Sequence, residues 1–141
     1  MSFDMTAGKR RKANMRRHQD WFRQAERVVE ATRLLLQGGF YEQVCFLSQQ
    51  AAALAAKAWL ESQGRIRTGH SISHLLKQAR QIKPEILAKA RILDRYYIPP
   101  RYPNGFAQGA PMDYYDEPTA KEAIDCAQNI LEFIKTKIKG L

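Results

Sequence analysis

The sequence has few of the features that mark secreted, membrane-spanning or disulfide-rich proteins. It has two cysteines in 141 residues, Cys45 and Cys126, and both lie within helical patterns. We therefore expect free, buried thiols in a reducing compartment. No apolar run approaches the ~18–20 residues that a membrane span needs, and the N-terminus has no signal-peptide segment. These absences predict a soluble, cytoplasmic protein.

Several catalytic and cofactor-binding patterns are also missing. No segment alternates apolar and polar residues with a period of two, which argues against β-strands. Gly38 and Gly39 are followed by neither Lys nor Ser at the spacing of a phosphate-binding loop. His70 and His74 have the spacing of a two-histidine metal clamp, but no third ligand is evident nearby. We predict no metal and no cofactor.

Negative charge is scarce relative to positive charge. The 23 Lys and Arg residues exceed the 14 Asp and Glu residues and give a net charge of +9. The excess lies in residues 1–36 and 57–101. Such a basic surface is typical of nucleic-acid binding, while a solvated face or an acidic protein partner would also account for it. The stretch GKRRKANMRR predicts a disordered basic arm over residues 1–14, followed by a single domain over residues 15–141.

What the sequence has in abundance is helical periodicity. Apolar residues recur at spacings of three and four in five segments, which predicts an all-α, antiparallel up-and-down bundle of four to five helices. The residues expected to begin or end these helices are Met15 and Gly38–Gly39 for the first, Phe40 and Gly64 for the second, Ser71 or Ser73 for the third, Pro84 and Ile98 for the fourth, and a Thr119–Glu122 capping box for the last.

The segment LDRYYIPPRYPNGFAQGAPMDYYDEP, residues 93–118, interrupts this periodicity. Its prolines end the fourth helix, and loops of this length in compact domains are usually functional or disordered. Tyr97 and Tyr102 could present ring faces beside Arg101, a combination suited to stacking a base and holding a phosphate. In the alternative interpretation, the tyrosines cover the end of the bundle and Arg101 caps carbonyl groups of the fourth helix.

Four stretches in this order, GGFYEQVCFLSQQAAALAAKAWLESQG, GHSISHLLKQA, LDRYYIPPRYP and the final amphipathic helix, resemble the HEPN family, the higher eukaryote and prokaryote nucleotide-binding domain. The resemblance covers roughly residues 17–138. It implies a bundle of about five helices, commonly homodimeric and often encoded beside a minimal nucleotidyltransferase as a toxin–antitoxin-like pair. The residues that match the family pattern are Tyr41, Cys45, Gln49, Gln50, Ala51, Ala52, Lys57, His70, Arg101, Tyr102 and Pro103.

Many members of that family are metal-independent ribonucleases with an Arg followed by four to six residues and a His. This chain departs from the motif, because no histidine follows Arg101; Arg65 and His70 have the spacing, but between the second and third helices. We therefore expect a non-catalytic protein of the Arg-Tyr-Pro subgroup that binds nucleotide or RNA, paired with a nucleotidyltransferase. The alternatives are a ribonuclease using His70 and Arg101, or a pure protein-interaction module. The candidate ligand-binding residues are Arg101, Tyr102, Tyr97, His70, Lys57 and Arg95.

Overall fold

The computed structural model describes residues 17–65 and 68–141, and every regular element in those ranges is a helix. We name the five α-helices α1 (His18–Gln37), α2 (Tyr41–Ser62), α3 (Ile72–Lys77), α4 (Pro84–Asp94) and α5 (Glu117–Lys137). Two short 3-10 helices, Pro103–Gly105 and Pro111–Asp113, lie between α4 and α5. The predicted all-α bundle is confirmed. The predicted basic arm and Met15 lie outside the described residues.

The turn between α1 and α2 reverses the chain at the predicted glycine pair. Gly39 has a φ of 81°, a left-handed conformation that glycine adopts without steric cost. The amide of Phe40 donates to the carbonyl of Leu35 at 3.0 Å and closes the end of α1. Helices α1 and α2 therefore pack side by side in opposite directions.

Helix α2 is the centre of the bundle, because it contacts each of the other four α-helices. Its middle is a run of alanines that are almost completely buried, together with Trp59 and Leu60. Small side chains allow neighbouring helix backbones to approach closely, and alanine also has the highest helix propensity. The composition of α2 thus explains both its helicity and its central position.

Contacts between distant residues give the helix directions. Arg33 of α1 donates to Gln128 of α5 at 3.0 Å, and Glu26 lies 3.9 Å from Lys135, so α1 and α5 are antiparallel. Trp59 and Phe133, near the C-terminal ends of α2 and α5, pack edge to face at 5.6 Å. Lys83, at the start of α4, also lies over the Phe133 ring. Helices α1, α2, α4 and α5 therefore run up, down, up and down, with α3 as a short insertion.

Helix α3 begins where two polar side chains accept its first amide hydrogens. Ser71 accepts from the amide of His74, as the sequence predicted. Asp94, the last residue of α4, accepts from the amides of Ile72 at 2.6 Å and Ser73 at 3.2 Å. Since the first amides of a helix have no partner within it, this carboxylate joins the start of α3 to the end of α4.

One predicted helix boundary was wrong, and another was an upper limit. The prolines predict that α4 does not continue past about Ile98, and it ends at Asp94, because in a continued helix the Pro99 ring would clash with the carbonyl of Arg95. Helix α5 begins at Glu117 without the expected capping box of Thr119 and Glu122. Asp116 caps it instead, accepting from the Thr119 amide at 2.9 Å. Hydrogen bonding from Thr119 lowers the pKa of the Asp116 carboxyl.

The segment between α4 and α5 packs against the bundle through its aromatic residues. Tyr96 and Tyr115 meet edge to face at 6.0 Å, while Phe106 stacks on Tyr114 at 4.1 Å. Burial raises the pKa of both Tyr96 and Tyr115 to about 12. Tyr96 and Tyr115 also pack against the buried core, so these rings give this long segment, which contains no α-helix, a definite shape.

Both cysteines are free and buried, as predicted. Burial, with smaller contributions from Asp116, Glu42 and Glu122, raises the pKa of Cys45 to about 12, and burial also raises the pKa of Cys126. Within residues 17–65 and 68–141, no helix has the length and apolar character needed to cross a lipid bilayer.

Candidate functional site

The side chain of Arg101 lies among three aromatic rings. Its guanidinium carbon is 4.5 Å from the ring centre of Phe46, 4.5 Å from that of Tyr97 and 5.0 Å from that of Tyr102. Each distance is within the range of a cation–π interaction. We refer to Phe46, His70, Tyr97, Arg101 and Tyr102 as the Arg101 cluster.

Local backbone geometry places Arg101 in this position. The chain turns after Tyr97, and the Arg101 amide donates to the carbonyl of Ile98 at 3.0 Å. The Arg101 Nε then donates to the carbonyl of Tyr97 at 2.7 Å. The two prolines between them, Pro99 and Pro100, restrict the backbone of this turn. The guanidinium is therefore directed back over the surface of α2, where Phe46 lies.

The Arg101 guanidinium has donors to spare. Among the described residues, no carboxylate lies within 4.0 Å of it. A guanidinium has five N–H donors, and here Nε–H is the one that bonds the Tyr97 carbonyl. The rings stabilise the positive charge without neutralising it. An anion that reaches the half-buried guanidinium would therefore find unneutralised charge and N–H donors.

His70 joins the cluster from a different part of the chain. Its imidazole stacks on the Tyr97 ring, with centres 4.5 Å apart and planes inclined by 16°. Gln49, which is fully buried in α2, donates from Nε2 to the His70 carbonyl at 2.8 Å. Gln50 donates in turn to Gln49 Oε1 at 2.7 Å. The chain after α2 thus returns along that helix and brings His70 beside the segment that follows α4.

The sequence predicted most of this cluster. The structure brings together Arg101, Tyr97, Tyr102 and His70. It also contains an element of the alternative interpretation, because Arg101 does bond the backbone carbonyl of Tyr97, although that residue follows α4 rather than ending it.

The other two candidates, Lys57 and Arg95, make no hydrogen bond or cation–π contact with the Arg101 cluster within the described residues. Lys57 is half-buried on α2. It follows Phe46 by eleven residues, which places it on about the same helix face but ~16 Å along the axis. Arg95 is exposed immediately after α4. Both remain predictions as additional phosphate contacts.

Sequence reasoning missed Phe46 and the hydrogen bond from Gln49 to His70. In the sequence, Phe46 cannot be distinguished from the other apolar residues of an amphipathic helix. Its spacing of four from Gln50 was a signal that could have indicated a shared face. A buried glutamine such as Gln49 needs a hydrogen-bond partner, but the sequence does not identify it. The partner is the His70 carbonyl, which lies in the chain between α2 and α3 and not in a helix.

The arrangement is an open surface cluster, whereas two surface hollows in the described part of the chain lie elsewhere. One follows α1, and a second of about 380 Å³ lies between α1 and α5, lined by residues that include Glu26, Arg33 and Glu132. Both mix charges of opposite sign. No group of three His, Cys, Asp or Glu side chains in residues 17–65 and 68–141 is arranged to hold a metal ion.

Comparison with known proteins identifies one family and several similar structures. The HEPN domain family matches residues 18–138. The crystal structure of TT1696 from Thermus thermophilus is similar with a TM-score of 0.84 and 36% identity, over 86% of this chain and 98% of that one. ST0689, described as an archaeal HEPN homologue, has a TM-score of 0.76 and 47% identity over 86% and 98% of the two chains.

One similar sequence bears a functional name. MJ1304 of Methanocaldococcus jannaschii, whose name marks it as a proposed toxin, is 28% identical over 131 residues, covering 84% of this chain and 86% of that protein.

Proposed function

Since the chain belongs to the HEPN family, we propose that it binds a nucleotide or RNA through the Arg101 cluster. The observation that supports this proposal is the environment of one guanidinium. Arg101 touches three rings and no carboxylate among the described residues. A cation held in place by rings, with N–H donors left over, recognises phosphate.

The rings supply the second half of the proposed recognition. Tyr102 is 47% exposed and His70 is also exposed, so both can offer ring surface to a base. Stacking on an aromatic side chain contributes ~1–3 kcal/mol per base and tolerates any base. The open shape of the cluster suits an unpaired strand or a single nucleotide better than a ligand that needs enclosure. Lys57 and Arg95 would contact phosphates farther along the strand.

A direct test compares two substitutions that remove the same charge. We expect Arg101→Ala to weaken binding of a fluorescent single-stranded RNA of about twelve nucleotides on the order of tenfold at low salt. Arg91→Ala removes an exposed guanidinium from α4 and should weaken binding less than about twofold. Fluorescence anisotropy measures both. Equal losses would show that the basic surface attracts RNA without a site, and the proposal would then be wrong.

A second candidate function is metal-independent RNA cleavage. The observation that favours it is the contact of both His70 and Arg101 with the same ring, Tyr97, together with the proposed-toxin name of the similar protein MJ1304. In such a reaction a histidine accepts the proton of the ribose 2′-hydroxyl, which attacks phosphorus. The 5′-oxygen leaves and takes a proton from water, the histidine returns its proton to solvent, and a guanidinium stabilises the charged intermediate.

The two histidines near α3 provide a matched pair of variants for this candidate. His70→Ala should abolish cleavage of a labelled RNA in the presence of a chelator, whereas His74→Ala, an exposed histidine four residues later, should leave it unchanged. The products should carry 2′,3′-cyclic phosphate and 5′-hydroxyl ends. Intact RNA with a wild-type protein that still binds it would leave the non-catalytic function as the better account.

We further propose that the protein is one half of a pair with a minimal nucleotidyltransferase and that it forms a homodimer. The resemblance stated above and the proposed-toxin name of a similar protein support the pairing. Co-purification with the product of a neighbouring nucleotidyltransferase gene tests the pair, and light scattering on the purified protein tests the dimer. Salt-sensitive binding of such a partner without any affinity for nucleotide or RNA would instead indicate a pure interaction module.

A further inference from the structure

Four hydrogen bonds converge on one carboxylate beside the Arg101 cluster. Asp94 Oδ1 accepts from the Ile72 amide at 2.6 Å. Asp94 Oδ2 accepts from the Ser73 hydroxyl at 2.6 Å, the Ser71 hydroxyl at 3.1 Å and the Ser73 amide at 3.2 Å. All four donors belong to the three residues that directly follow His70. The bonds are charge-assisted and therefore stronger than bonds between neutral groups.

The same carboxylate also lies close in sequence to Tyr97, the ring of the cluster on which His70 stacks. Asp94 ends α4 and precedes Tyr97 by three residues. The imidazole of His70 stacks on that tyrosine at 4.5 Å. The chain between Gly64 and Ser71 contains no helix in its described part, so helical hydrogen bonds cannot determine where His70 lies. Asp94 ties the backbone that follows His70 to the backbone that leads to its stacking partner.

A second, independent bond holds His70 from the opposite direction. Gln49 in α2 donates to the His70 carbonyl at 2.8 Å, and its side chain is fully buried. This bond restrains the position of the backbone at His70. It does not prevent rotation of the chain about that point. The hydrogen bonds that residues 71–73 donate to Asp94 limit this rotation.

From this geometry, and resting on the proposed function of the Arg101 cluster, we infer that Asp94 is a positioning residue for His70. It holds the imidazole against Tyr97 and so keeps an exposed ring surface available to the ligand. Asp94 itself does not touch the ligand in this arrangement. Removal of its charge lowers ligand affinity through the orientation of His70.

The first experiment needs no ligand and follows His70 directly. The chain has three histidines, so their imidazole signals in a ¹H–¹³C correlation spectrum can be assigned by single substitutions. Stacking on Tyr97 should displace the His70 signals by the ring current. In Asp94→Asn, and in the milder Ser73→Ala, these signals should move toward the values of an unstructured histidine. Asp125→Asn, the same chemical change at an exposed carboxylate on α5, should leave them in place.

The second experiment measures whether the effects of Asp94 and His70 on binding of the single-stranded RNA are coupled. Asp94→Asn should weaken binding by no more than about tenfold, since it loses charge-assisted bonds but keeps one acceptor. In a His70→Ala background the same change should add less than about twofold, because the residue through which it acts is gone.

The outcomes separate the two proposals. A wild-type protein that binds no RNA overturns the proposed function, and the His70 signals then decide the role of Asp94 by themselves. Unmoved His70 signals in a folded Asp94→Asn protein overturn the positioning role, as does a full, additive loss of affinity in the His70→Ala background. If Asp94→Asn fails to fold, Ser73→Ala carries the same comparison, because it removes the 2.6 Å hydroxyl bond to Asp94, together with the 3.2 Å contact between the Ser71 and Ser73 hydroxyls, and keeps the carboxylate.

Discussion

Replacement of Arg101 by lysine tests whether the planar guanidinium, rather than its charge, holds the cluster together. Lysine keeps the positive charge, so the net charge of the protein is unchanged. It cannot reproduce the contacts of a flat group that lies over three rings, because its ammonium is a compact, strongly hydrated charge. We therefore expect Arg101→Lys to destabilise the folded protein although the substitution is conservative by charge.

The contacts of Arg101 set the size of the effect. Each cation–π contact at a half-exposed position contributes ~0.5–1 kcal/mol, and lysine can keep about one of the three. The hydrogen bond from Nε to the Tyr97 carbonyl contributes about 1 kcal/mol after exchange with water. Because neighbouring contacts are not additive, we expect a loss of about 2 kcal/mol, or roughly 5–10 °C in the melting temperature of a domain of this size.

Urea denaturation followed by circular dichroism at the helix band measures this loss. Arg91→Lys is the control, since Arg91 is exposed on α4 and should change the free energy of unfolding by less than about 0.5 kcal/mol. If the two variants unfold at the same urea concentration, the rings do not stabilise the guanidinium and our account of the cluster is refuted.

Three further predictions concern the bundle. Burial raises the pKa of Cys45 from 9.0 to about 12. The contribution of this neutral thiol to the free energy of unfolding should therefore be fully present below pH 9 and decrease as the pH rises toward 12. In urea titrations at alkaline pH, Cys45→Ala should reduce this decrease by up to about 4 kcal/mol. Because hydrogen bonding from the Thr119 side chain and amide lowers the pKa of Asp116 below 3.8, Asp116→Ala should lower the urea midpoint at pH 7. The substitution should have little effect once the pH falls through that lowered pKa. Ala55→Leu should cost ~1–3 kcal/mol, since Ala55 is fully buried, whereas Ala88→Leu, on the exposed face of α4, should unfold like the wild type.

The fold was predictable because helix periodicity and helix boundaries are local properties. Gly39 and Pro84 occupy the turn and the helix start that their backbone preferences indicate. The error at the start of α5 arose where two local signals competed. Thr119 and Glu122 fit a capping box, but Asp116 lies three residues earlier and precedes Pro118, which favours the first turn of a helix. Pro118 therefore favours Asp116 as the cap, and the capping-box pattern alone does not take this into account.

The site was only partly predictable because it joins three segments that are far apart in the chain. Tyr97, Arg101 and Tyr102 are neighbours in sequence, so their composition indicated a cluster. Phe46 and Gln49 lie on α2. The contact of Phe46 with Arg101 depends on the packing of α2 against the turn after α4, and the bond from Gln49 to His70 depends on the path of the chain after α2. His70 was a candidate by resemblance, but its stacking on Tyr97 depends on where the chain after α2 runs.

The central position of α2 has a consequence for the kinetics of binding. Because this helix contacts every other α-helix, its amide hydrogens should exchange with solvent only when the whole bundle opens. Phe46 and Gln49 are therefore held in place before any ligand arrives, and association requires little ordering of the protein. The rate of association should then depend on salt, through attraction of an anionic ligand by the basic surface, more than on any slow rearrangement.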